Sequence, residues 1–65
     1  MPVTEERERK ALDHAETALG HYQEIGPAGA FGAAMIEADL DRYLRAKAMG
    51  LDIEAAVVEL EGIQT

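Results

Sequence analysis

From residue 11 the apolar side chains Ala11, Leu12, Ala15, Ala18, Leu19 and Tyr22 recur at helical steps, so a helix gathers them on one face. Thr4 is placed to cap this helix, with Glu5 and Glu6 in its first turn, where the helix dipole favours anions. Gly26-Pro27 ends it, because Gly suits the position after a helix and Pro cannot extend one. Gly20 lies inside and weakens the helix by about 1 kcal/mol relative to Ala, marking a kink or a close approach. A second helix starts between Pro27 and Ala33, with Ile36, Leu40, Tyr43 and Leu44 on its apolar side and Phe31 and Met35 nearby. Gly50 caps it, with Leu51 placed to fold back as the hydrophobic contact. Asp52 then caps a short third helix, whose Ile53, Ala56, Val57 and Leu60 form one stripe and which Gly62 ends.

These signals predict an all-α fold, an antiparallel helical hairpin plus a short third helix, forming a small three-helix bundle. Residues 1-65 read as a single helical domain: a helix over about 4-25, a connector at 26-32, a helix over about 33-49 and a short helix over about 53-61. The connector GPAGAFG is short enough to make the two long helices antiparallel neighbours. The third helix is marginal alone and has to dock on the hairpin or on a partner.

Composition narrows how such a bundle is held. In a chain of 65 residues a lone core rarely supplies more than roughly 3–5 kcal/mol of net stability. With no Cys there is no disulfide, thiolate ligand or Cys nucleophile, which leaves helix packing, with or without self-association. No apolar run has the length of a membrane span, and no apolar stretch follows the charged N-terminus as in a signal peptide. The expected setting is cytoplasmic and soluble.

The formal net charge is −7, and its layout matters more than its size. Basic residues form two clusters, Arg7–Arg9–Lys10 and Arg42–Arg45–Lys47. Between them Asp13, Glu16, Glu24, Glu37, Asp39 and Asp41 occur with no Lys or Arg, and Asp52, Glu54, Glu59 and Glu61 follow the second cluster. Direct contact with nucleic acid or an anionic membrane needs cationic surface, so a basic partner is favoured instead.

Candidate chemistry is thin. His14 and His21 share a helix face but stand about 10.5 Å apart along the axis, too far for one metal ion with bonds near ~2 Å. Gly26, Gly29 and Gly32 precede a helix, yet the loop lacks the Lys-Ser/Thr ending of a phosphate-binding loop and a preceding strand. The pairs Glu37/Asp41, Glu59/Glu61 and Asp13/Glu16 supply carboxylates without the cleft that glycosidase-type chemistry needs. The expectation is a protein that is not an enzyme and uses no metal or cofactor.

The acidic pattern carries more. At 100° per residue, Glu5, Glu6, Asp13, Glu16 and Glu24 fall within an arc of about 100° beside the apolar face of the first helix. Such a row can imitate a phosphate backbone and occupy a basic nucleic-acid channel, although charged runs are more often solvated faces that keep a small protein soluble. At the level of class the chain resembles the compact acidic inhibitors encoded by phages and mobile elements, including anti-CRISPR proteins, in its size, lack of Cys and carboxylate stripe. The expected function is therefore inhibition of a basic, nucleic-acid-binding protein or complex. Glu5, Glu6, Asp13, Glu16 and Glu24 would make the contact, with Glu37 and Asp41 secondary. The alternative is a structural or adaptor hairpin that pairs with itself as a homodimer, or with a partner helix, through Leu12, Leu19, Tyr43, Val57 and Leu60.

Overall fold

The computed structural model describes residues 3–63; the four terminal positions of the 1-65 domain (1, 2, 64 and 65) lie outside the described residues. Helix α1 runs Glu5–Ile25, a 3-10 turn occupies Gly26–Gly29, α2 runs Ala30–Met49 and α3 runs Ile53–Glu61. No strand occurs among the described residues. Helices α1 and α2 are antiparallel. Lys47 near the end of α2 reaches Glu8 near the start of α1 (2.9 Å), while Tyr22 late in α1 abuts Gly29 and Gly32 at the other end.

Local chemistry accounts for most boundaries. The Thr4 hydroxyl accepts from the Arg7 amide (3.1 Å) and the Asp52 carboxylate from the Ala55 amide (3.2 Å), each satisfying a donor left open at a helix start. Gly50 closes α2 at φ 69°, a left-handed conformation that favours glycine, and the Leu51 amide donates back to the Ala46 carbonyl (2.8 Å). The connector is shorter than the sequence suggests. Helical structure resumes at Gly26 as a 3-10 turn and α2 begins at Ala30, inside the Pro27 to Ala33 window and three residues ahead of the range of about 33-49. Pro27 sits where a missing amide is harmless, and Ala28 and Ala30 are good helix formers, so nothing delays re-entry.

One cluster joins the helices: Ala11 and Ala15 from α1, Ile36, Tyr43 and Ala46 from α2, and Ala56, Val57 and Leu60 from α3. Val57 and Leu60 are 0% exposed, and burial of such side chains contributes about 1.5–3 kcal/mol each, which holds a helix too short to persist alone. Two sequence expectations fail here. Leu44 is exposed, because it lies 100° around the helix from Tyr43 and Ala46 takes the inward position. Leu51 is also exposed, so it adds little burial to a cap that hydrogen bonds close.

Helix α3 is too short to roof the whole hairpin. Its nine residues span about 13.5 Å of axis against about 30 Å for the twenty of α2. Tyr22, Ile25, Phe31 and Met35 around the hairpin turn are left exposed, Phe31 at 78%.

Candidate functional site

Three of the six cations tie one helix to another among the described residues. Arg7 of α1 makes two hydrogen bonds to the Glu61 carboxylate of α3 (2.8 and 2.6 Å), and Arg42 of α2 contacts both oxygens of Glu59 (2.8 and 2.7 Å). Lys47 of α2 holds Glu8 of α1, and that same carboxylate accepts from the Tyr43 hydroxyl. Lys10 lies 3.7 Å from Glu6 and Arg45 lies 2.6 Å from Asp41, each pair one turn apart on its helix. Of the six bases, Arg9 alone has no carboxylate within pairing distance among the described residues. Exposed pairs of this kind are each worth at most about 1 kcal/mol, so their main effect is on orientation and on where charge remains. The hydrogen bonds from Arg7, aided by its charge and opposed by partial burial, hold the Glu61 carboxyl below the usual carboxylate range.

This pairing divides the carboxylates singled out from the sequence. Glu5, Asp13, Glu16, Glu24 and Glu37 are exposed and make no ion pair among the described residues, whereas Glu6 and Asp41 are partly neutralised by Lys10 and Arg45. The α1 stripe is also interrupted. By the same angular count Arg9 falls inside the acidic arc, four residues after Glu5 and four before Asp13. The continuous part is therefore Asp13, Glu16 and Glu24, over about 16.5 Å of helix axis. Three charges over two intervals give a mean spacing of about 8 Å, sparser than the ~3.4 Å along a DNA strand, so the face copies the sign of a phosphate backbone at roughly 40% of its linear density.

Gly20 falls in the middle of this stretch. A Cβ built there would meet nothing within 4 Å, so close internal packing does not explain it, and α1 continues through the position. Asp13, Glu16 and Glu24 thus border a patch where the α1 backbone is open to approach.

His14 and His21 are exposed, His21 stacking edge-on against Tyr22 (5.7 Å between ring centroids), and no group of three metal-ligating side chains occurs among the described residues. Glycines 26, 29 and 32 serve the turn: Gly26 adopts φ 80°, and Gly29 and Gly32 let Tyr22 approach. No helix among the described residues is long and apolar enough to cross a membrane. A groove of about 440 Å³ lies between α2 and the C-terminal end of α3, lined by Tyr22, Met35, Ile36, Asp39, Arg42 and Ile63 among others. Sequence reading missed it, because it depends on where α3 stops along α2.

No family model matches this chain, and no curated protein or solved structure does either.

Proposed function

We propose that this chain is a small non-enzymatic protein that occupies the basic surface of a nucleic-acid-binding protein or complex. It acts as a mimic of backbone charge, in the manner of compact anti-defence inhibitors such as anti-CRISPR proteins. One observation carries the reading: among the described residues nearly every cation is spent on internal pairs, while Asp13, Glu16 and Glu24 stay exposed and unpaired. Charge left in this state steers a basic partner and selects against other acidic surfaces. The sparse spacing favours a partner whose Lys and Arg residues sit on flexible side chains that can close the gaps between carboxylates.

The deciding experiment compares the wild type with the triple variant Asp13→Lys, Glu16→Lys, Glu24→Lys as baits in an extract of the cells that express it. The wild type should retain a basic nucleic-acid-binding protein at low salt, lose it at least ~5-fold on raising salt through the physiological range, and be displaced by the partner's nucleic acid. The triple variant should retain none while keeping its helix content. Equal capture by the variant, or a complex indifferent to added nucleic acid, removes the mimicry.

Gly20 separates stability from binding. Gly20→Ala should raise stability by up to about 1 kcal/mol, because helix propensity improves and no atom stands in the way. Gly20→Trp should fold as well as Gly20→Ala yet weaken the complex at least ~10-fold, since its ring stands among the three carboxylates. Denaturant midpoints and partner titrations on the two variants check this, and undiminished binding by Gly20→Trp places the contact elsewhere.

A further inference from the structure

We infer that the groove between α2 and the end of α3 docks a segment of a basic protein partner, taking a bulky apolar side chain with an Arg or Lys beside it. The inference rests on the proposed function for the sign of the partner's charge, and adds a second contact with its own chemistry. The groove's 440 Å³ falls in the range of about 300–1,000 Å³ typical of ligand sites, ample for one aromatic or branched side chain. Its apolar surface comes from Tyr22, Met35, Ile36 and Ile63. Three charged side chains line it. Arg42 is neutralised by the two oxygens of Glu59, whereas Asp39 is half-buried and makes no ion pair among the described residues, so the described lining carries a surplus negative charge. An apolar cleft with an unmatched carboxylate at its edge is complementary to an apolar side chain flanked by a cation.

Charge also decides against the other obvious occupant. A second copy would bring a groove of the same sign, on a molecule of formal charge −7, against this one. The hairpin turn beside the groove lies within the base-free stretch from residue 11 to 41, so it offers no cation to receive another copy's Asp39. A basic partner meets no such conflict, and the exposed Phe31 and Met35 give it further apolar surface to cover.

The test follows methyl signals of the full-length protein in a titration with N-acetyl-Arg-Phe-Arg-amide, N-acetyl-Glu-Phe-Glu-amide and N-acetyl-Arg-Ala-Arg-amide. The Arg-Phe-Arg peptide should shift the methyls of Met35, Ile36 and Ile63 with a Kd on the order of 1 mM, the scale for one side chain and one weak pair. The other two peptides should bind at least ~5-fold more weakly. Asp39→Asn should weaken Arg-Phe-Arg by about 3-fold and narrow its advantage over Glu-Phe-Glu. Met35→Ser, at a side chain already 53% exposed, should weaken both Phe peptides with helix content unchanged. Equal binding of Arg-Phe-Arg and Glu-Phe-Glu, shifts confined to other methyls, or no saturable shift overturns the assignment. Concentration-dependent shifts of the groove methyls in the protein alone overturn it in favour of a second copy. The two proposals fail separately. Peptide binding at the groove is independent of Asp13, Glu16 and Glu24, and capture of a nucleic-acid-binding partner through those carboxylates does not require the peptide to bind.

Discussion

Tyr43→Ala is expected to abolish the cooperative thermal transition. Tyr43 is the largest fully buried side chain, 1% exposed, and it packs in the one cluster that all three helices share. Truncating an aromatic side chain in such a site removes about 3–5 kcal/mol, through lost burial and the cavity left behind. A domain this small has roughly that much net stability to lose. The deletion also strips Glu8 of the Tyr43 hydroxyl, leaving that carboxylate to Lys47 alone. Tyr43→Phe keeps the ring and removes only the hydroxyl, so it should lose about 1 kcal/mol and melt about 4–8 °C lower. Far-UV circular dichroism against temperature distinguishes the cases. A Tyr43→Ala protein melting within a few degrees of wild type would mean that the core is not organised around this ring.

The second large effect concerns two glycines on either side of the start of α2. Gly29→Ala should destabilise by about 1–3 kcal/mol, while Gly32→Ala should be neutral or stabilising. At Gly29 an added Cβ would overlap the Tyr22 carbonyl and crowd its carbon (3.0 Å), so the backbones of α1 and α2 must separate. At Gly32 the obstruction is the Tyr22 ring (2.9 Å), a partly exposed side chain that can swing outward. That movement is offset by the ~1 kcal/mol that Ala gains over Gly inside a helix. Denaturant midpoints at matched slopes read the difference. Equal losses at both sites would show that the Tyr22 ring is as immobile as the backbone beneath it.

What could be read from the sequence was set locally. Thr4, Gly50 and Asp52 act on amides and carbonyls within a few residues, and the stripe Ile53, Ala56, Val57 and Leu60 lies on one helix, so each followed from spacing. The exchange of Leu44 for Ala46 was harder, because both lie near the apolar side of α2 and only the position of α3 decides which turns inward. Within the candidate site, the Asp41–Arg45 pair was visible as a four-residue step. The pairs Arg7–Glu61 and Arg42–Glu59 join residues 54 and 17 positions apart, which no helical period predicts, yet they determine which carboxylates remain unmatched. Arg9 was open to the same angular count as its acidic neighbours and breaks the stripe at that point.

The short reach of α3 bears on how evenly the molecule is held together. The ties Lys47–Glu8 and Arg7–Glu61 engage the first turns of α1, and Val57 and Leu60 anchor α3 in the core, whereas Ile25, Phe31 and Met35 at the turn have little packed over them. Opening of the turn is expected to expose fewer packed side chains than opening at the chain-end side, so amide exchange should be graded along the hairpin. If exchange is fastest at the turn, a partner seated there would restrict that motion, and its affinity would carry the entropy of that restriction.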